Sequence, residues 1–69
     1  MKKLRANQVI EYVNGNESVY CGMIKRVKEE KSGVYYTVID HNSASSIELW
    51  NAGYNIGSYI HESQIIKVL

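Results

Sequence analysis

Three residues of the chain could take part in nucleophilic or metal chemistry: Cys21, His41 and His61. A catalytic thiol needs a base within hydrogen-bond reach and a third group that orients this base. Asp40 directly precedes His41, but neighbours in an extended strand point to opposite faces, so the pair does not predict such an arrangement. Zinc sites usually show paired Cys or His ligands at short spacing, and the sequence has no such pair. We therefore predict no catalytic residue, no metal and no cofactor, and expect the chain not to be an enzyme.

Aromatic residues are the second group with chemical potential, since the chain has six tyrosines and one tryptophan but no phenylalanine. Tyrosine combines an apolar ring with a polar hydroxyl and suits half-buried faces and interfaces. Strands favour aromatic residues in any case, so a purely structural role stays open. Trp50 and Tyr54 fall in a long predicted loop, where binding residues concentrate. Together with Tyr12 or Tyr20 they would form a recognition surface for a protein.

A basic group follows the second predicted strand and its hairpin: Lys25, Arg26, Lys28 and Lys31. Such cations could contact phosphates while exposed tyrosines stack on bases, as in proteins that bind single strands. Glu29 and Glu30 dilute the group, and a net charge of +1 is small for a nucleic-acid binder. The alternative role is that of solvated charges which protect a sheet edge from aggregation.

The elements that must position these residues are predicted to be strands. Segments rich in Val, Ile and Tyr are bounded by Gly, Asn or Ser, which is typical of strands and turns: 8–13, 19–28, 34–40, 58–61 and 65–69. No window of a dozen residues shows the apolar period of an amphipathic helix. Asn14-Gly15 predicts a type I′ hairpin turn, and Lys31-Ser32-Gly33 predicts a second hairpin.

Alternation along these strands indicates which residues form the core. Gly22 and Ile24 share one face of the second strand, but Val27 falls out of phase, so we predict a bulge near Lys25 and Arg26. The predicted core consists of Val9, Ile24, Val27, Tyr36, Val38, Ile60, Ile65 and Val68.

Residues 41–57 allow two interpretations. A strand over residues 46–50, pairing with residues 34–40, is the favoured one. The alternative is a helical turn, because Ser45 and Glu48 have capping-box spacing and Gly53 could follow the end of a helix. Residues 51–57 are predicted to form a loop.

The bulk properties of the chain limit its class. A length of 69 residues predicts one domain, residues 1–69, with a thin core. The single cysteine excludes an internal disulfide and fits a reducing compartment. No apolar run approaches the roughly 18 residues of a membrane-spanning helix, so we expect a cytoplasmic protein without a membrane partner. We also expect little room for a pocket of about 300 Å³ or more.

Three segments resemble the SH3-like small β-barrel superfamily, in the broad sense that includes KOW and Tudor domains. Gly22-Met23-Ile24-Lys25-Arg26-Val27 resembles the Gly-x-hydrophobic-x-x-Val core of a KOW strand. Residues 36–40 are similar to the third strand of Tudor-like barrels, and residues 59–65 look like the strand, turn and strand that end these folds. The chain lacks the Ala-Leu-Tyr-Asp-Tyr motif with which signalling SH3 domains bind proline-rich peptides. The resemblance implies a five- or six-stranded barrel, with at most one short helical turn in residues 41–57, and a phage or prophage accessory protein as its setting.

Two functions follow as hypotheses. The first is a non-enzymatic, protein-binding accessory or regulatory module, which would use Trp50, Tyr54, Tyr12 and Tyr20. The second is a small RNA- or DNA-binding module of KOW or Tudor type, which would use the basic group. A homodimer formed by barrel edges is compatible with either function.

Overall fold

The computed structural model describes residues 3–69, so Met1 and Lys2 of the predicted domain lie outside the described residues. The elements follow the order β1 (Val9–Val13), β2 (Val19–Glu30), β3 (Gly33–Ile39), α1 (Ala44–Asn51), β4 (Ser58–His61), a 3₁₀ turn (Glu62–Gln64) and β5 (Ile65–Val68). The five strands form one antiparallel sheet with the order β4-β3-β2-β1-β5. The prediction of a small, mainly β-structured chain is confirmed. No helix within residues 3–69 has the length and apolar character needed to cross a membrane.

The core lies on one face of the sheet, to which β1, β2, β3 and β4 contribute alternate residues. Its buried members are Ile10, Tyr12, Ile24, Tyr36, Val38 and Ile60. The hydroxyl of the fully buried Tyr36 accepts the backbone N–H of Leu4 at 3.0 Å, so the polar atom has a partner. Four predicted core residues, Ile24, Tyr36, Val38 and Ile60, are confirmed.

The predicted phase of β1 is wrong by one residue. Ile10 and Tyr12 point into the core, whereas Val9 is only half-buried. Val9 shares its face with Glu11, a side chain that favours water, and this explains the orientation. Val68 on β5 is also a predicted core residue, but 44% of its surface is exposed. Val27 and Ile65 are partly buried and pack against the core.

The predicted bulge in β2 is confirmed. Ile24 pairs with Val38 and Arg26 pairs with Thr37, so Lys25 has no partner on β3. The extra residue restores Val27 to the inner side, opposite Tyr36.

The first hairpin has a different turn from the predicted one. A type I′ turn needs positive φ at Asn14 and Gly15, but in this hairpin positive φ occurs at Glu17 instead (φ 65°). The N–H of Glu17 donates to the carbonyl of Asn14 at 3.0 Å, and the side chain of Asn16 accepts the N–H of Ser18. These local bonds hold a three-residue loop that ends in a left-handed residue. The second hairpin, through Lys31 and Ser32, is where the sequence predicts it.

The predicted strand over residues 46–50 is wrong, because these residues belong to helix α1. The side chain of Ser43 caps the helix by accepting the N–H of Ser46. Gly53 ends it in the left-handed region (φ 92°), and its N–H donates to the carbonyl of Trp50. The helix has eight residues, so it is also longer than the one helical turn that was expected at most.

The two edges of the sheet are joined by the 3₁₀ turn, although β4 and β5 do not pair within residues 3–69, so the sheet is not closed into a barrel. Only three residues connect these edge strands, and the sheet must therefore curl. A carboxylate oxygen of Glu62 accepts the N–H of Val34 at 2.8 Å, and the amide of Gln64 donates to the carbonyl of Val13 at 2.9 Å. The turn thereby contacts both β3 and β1.

Candidate functional site

An open cleft of about 550 Å³ lies where β3 ends. Its lining comes from the start of β2, the end of β3, helix α1 and the loop before β4, and includes Val19, Tyr20, Cys21, Ile39, Leu49 and Ile56. The expectation that the domain has little room for a pocket is therefore wrong.

The cleft exists because β2 is much longer than β3, with 12 residues against seven. The register pairs Met23 with Ile39, so residues 19–22 of β2 extend beyond the end of β3. The chain turns away after Ile39, since the Asp40 side chain accepts the N–H of Asn42 and the Asp40 carbonyl accepts the N–H of Ser43. The cleft occupies the space that a longer β3 would fill.

The rim of the cleft is apolar and exposed. The exposed fractions are 58% for Val19, 39% for Tyr20 and 42% for Leu49. Exposed apolar side chains that lie together in this way are typical of interaction sites. Asp40 is the one charged residue among the described residues that line the cleft. The lining also includes the polar residues Asn42, Ser46 and Ser58. A groove of mixed polarity with a single acid suits a neutral or basic polypeptide and disfavours an anionic strand.

The four aromatic residues predicted to bind a protein lie in different places. Tyr12 and Tyr20 both line the cleft, where their rings stack with centroids 5.8 Å apart. Tyr12 is almost buried, with 7% exposed, so Tyr20 is the accessible member of the pair. Trp50 and Tyr54 are not among the described lining residues. Trp50 contacts the guanidinium of Arg26, 4.8 Å from the ring centroid, and Tyr54 is 61% exposed beyond the end of α1.

Sequence reasoning missed Val19, Leu49, Ile56 and Asp40 as residues of a site. One available signal was the difference in length between the predicted strands. A hairpin centred on Lys31 and Ser32 pairs residue 23 with residue 39 or 40, so anything before residue 22 has no partner on β3. This mismatch indicates an open edge next to residues 19–21.

The basic group is dispersed by contacts within the protein. Lys28 forms an ion pair with Glu30 at 3.3 Å, and Lys25 donates to the side chain of Asn7 at 3.2 Å. Arg26 lies over Trp50, and Lys31 is exposed in the hairpin turn.

Aromatic side chains also meet on the outer face of β3 and β4. Tyr35 and Tyr59 stack with centroids 5.1 Å apart and an interplanar angle of 4°. The ring of His61 contacts Tyr35 edge-on at 4.9 Å. Lys28 is the partner of Tyr35 on the neighbouring strand, so a cation adjoins these rings. We call Tyr35, Tyr59 and His61 the outer aromatic face.

Two of the three candidates for nucleophilic or metal chemistry, Cys21 and His41, are in contact, whereas His61 lies elsewhere. The thiol of Cys21 lies 3.9 Å from Nδ1 of His41. His61 has a structural role elsewhere: its Nδ1 accepts the N–H of Ser63, so its Nε2 carries the proton and donates to the carbonyl of Ser32 at 2.8 Å. No three His, Cys, Asp or Glu side chains within residues 3–69 are grouped as a metal site.

Comparison with protein-family models, with curated proteins and with solved structures finds no match for this chain. The resemblance to SH3-like barrels therefore stays a prediction. The function has to be argued from the cleft and the outer aromatic face themselves.

Proposed function

We propose that this chain is a non-enzymatic, protein-binding module of accessory or regulatory type, and that the cleft binds the partner. The observation that carries the proposal is the exposed apolar rim of Val19, Tyr20 and Leu49 around a groove in which Asp40 is the one charged residue from positions 3–69. Tyrosine is enriched among the residues that dominate the energy of protein interfaces, so Tyr20 is the expected main contact.

The fold that goes with this function is a curled sheet of SH3-like type. The same resemblance implies a phage or prophage accessory protein. Two features support this fold: strands that follow one another as a meander, and a 3₁₀ turn that joins β4 to β5. The second feature agrees with the strand, turn and strand expected for residues 59–65.

A binding role fits the cleft better than catalysis does. Cys21 and His41 are half-buried and their 3.9 Å contact lies at the long limit of a sulfur hydrogen bond, and a nucleophile pair also needs a third group that orients the base. One carboxylate oxygen of Asp40, the acid nearest in sequence, accepts the N–H of Asn42, and no hydrogen bond joins Asp40 to His41 within the described structure.

Nucleic-acid binding is the second candidate function, because the outer aromatic face offers stacked rings beside Lys28. Base stacking on exposed aromatic rings is the recurrent way to bind single strands. Glu30 weakens this candidate, because its carboxylate lies 3.3 Å from the ammonium of Lys28 and would repel a phosphate there.

A pull-down with matched variants tests the proposal. The immobilised domain is incubated with lysate of the cells that express it, with and without nuclease. We expect a protein to be captured in both conditions and Leu49→Asp to reduce its capture at least about tenfold, since a charge would enter the apolar rim. Helix α1 buries no residue, so this variant should fold. Ile66→Asp, at an exposed position on β5 (56% accessible against 42% for Leu49), is the control that should retain capture.

Other outcomes of the same experiment assign the function differently. Capture that disappears with nuclease, and that Tyr59→Ala removes while Leu49→Asp does not, identifies the nucleic-acid alternative. If Trp50→Ala and Tyr54→Ala abolish capture while Leu49→Asp leaves it unchanged, the partner binds the residues predicted from sequence and not the cleft. Absence of any captured protein refutes the proposal.

A further inference from the structure

The start of β2 has a free backbone edge. The N–H of Ile24 donates to the carbonyl of Gln8, and the N–H of Asn14 donates to the carbonyl of Ser18. Residues that exchange hydrogen bonds with β1 alternate along an antiparallel pair, so the even-numbered residues of β2 face β1 here. The backbone groups of the odd-numbered residues between them point the opposite way.

Val19 and Cys21 are these odd-numbered residues, and their N–H and C=O groups point to the side on which β3 lies. The pairing with β3 begins only at Met23. Within residues 3–69, no backbone hydrogen bond reaches Val19 or Cys21 from that side. Two donors and two acceptors thus border the cleft without a partner in the sheet.

The lining of the cleft comes from both faces of the sheet. Tyr12, Tyr20 and Val38 belong to the inner face, in phase with the core. Cys21 and Ile39 belong to the outer face. Leu49 of α1 also lines the cleft. A groove beside a free backbone edge, with side chains from both faces, has the shape left by a missing strand.

We propose that the cleft binds a short extended peptide, which adds to β2 along residues 19–21 as a β-strand in line with β3. The inference rests on the proposed function and gives its partner a definite conformation. In strand addition, main-chain hydrogen bonds supply affinity and pockets for alternate side chains supply specificity. The free edge is about 10 Å long, at about 3.3 Å per residue, and accommodates roughly three peptide residues.

The lining also indicates the side chains of the peptide. One set of alternate residues would contact the rings of Tyr12 and Tyr20, and the other set would contact Ile39 and Leu49, so both sets should be apolar. Asp40 lies at the end where β3 leaves the sheet and is exposed. A lysine or arginine at that end of the peptide would complement its charge.

Selection of displayed random heptapeptides on the immobilised domain supplies the probe. We expect the selected peptides to carry apolar residues at alternate positions and one basic residue, and Asp40→Asn to weaken their binding several-fold. In the best binder, a backbone N-methyl group on residues whose N–H faces β2 should reduce affinity about tenfold per hydrogen bond lost. N-methylation of the residues whose N–H points away from β2 is the matched control and should leave affinity almost unchanged.

Amide hydrogen exchange then locates the contact. Bound peptide should slow exchange at Val19 and Cys21 and leave Tyr20 and Gly22, which already face β1, unchanged. Peptides could bind in a way that Leu49→Asp weakens, yet be indifferent to which amides are N-methylated and leave exchange at Val19 and Cys21 unchanged. This result would overturn strand addition while the protein-binding proposal stands. If no peptide is selected, strand addition is refuted, and capture from lysate alone decides the protein-binding proposal. If an oligothymidine strand of about 15 nucleotides displaces the peptide from the cleft, both are refuted.

Discussion

Replacing Gly33 with alanine is expected to destabilise the domain by about 3 kcal/mol or more. Gly33 is the first residue of β3 and has a φ of 128°, a value that residues other than glycine rarely adopt. An added Cβ would lie 2.5 Å from Nε2 of His61 and 2.6 Å from a carboxylate oxygen of Glu62. The same two atoms bond to the carbonyl of Ser32 and the N–H of Val34, so the contact between the hairpin and the 3₁₀ turn would open.

Urea unfolding, with two other glycines as controls, measures this effect. Alanine at Gly15 meets no atom within 4 Å and needs no unusual φ, so it should change the free energy of unfolding by less than about 0.5 kcal/mol. Alanine at Gly53 also has open space, but φ is 92°, so it should cost about 1–2 kcal/mol from the dihedral angle alone. If the loss for Gly33→Ala is no greater than for Gly53→Ala, the bonds to the 3₁₀ turn do not hold the sheet.

Truncation of Ile10 to alanine is expected to cost about 3–4 kcal/mol, because a fully buried side chain would leave a cavity in the core. Val9→Ala should cost only about 1 kcal/mol, since Val9 is half-buried on the other face of β1. A domain of this size has a total stability of only about 3–10 kcal/mol. Ile10→Ala should therefore remove about a third or more of the total stability and lower the urea midpoint accordingly.

The comparison of these adjacent residues tests the orientation of β1. Far-ultraviolet circular dichroism, followed through a urea titration, gives both free energies of unfolding. Equal losses, or a greater loss for Val9→Ala, would show that β1 presents the opposite face to the core and that the register of Ile10 with Gly22 is wrong.

Much of the sheet could be predicted because period-two patterning and turn residues act locally. The bulge was visible as a change of phase between Ile24 and Val27. The phase of β1 was ambiguous, because both Val9 and Ile10 are apolar and only Glu11 indicated which face meets water. Helix α1 was only the alternative interpretation, because no member of it is buried and no apolar stripe marks it. Its ends are set by two local motifs, the Ser43 cap and the left-handed Gly53.

The candidate site was harder to predict than the fold. Tyr12 and Tyr20 were singled out by residue type, and both line the cleft. Leu49 and Ile56 were not, because they reach the cleft only through the helix and loop whose structure the sequence left open. The pairing of Tyr35 with Tyr59 on the outer face depends on the register of β3 with β4, which is set by long-range contacts.

Site-specific photo-crosslinking shows whether a protein partner binds in the cleft. A benzophenone amino acid is placed at Leu49 and, in separate variants, at Tyr59 and Ile66, and each domain is irradiated in lysate treated with nuclease. We expect one discrete protein adduct from the variant with the benzophenone at position 49 and none from the variants with it at position 59 or 66. An adduct from Tyr59 or Ile66 with none from Leu49 would contradict it.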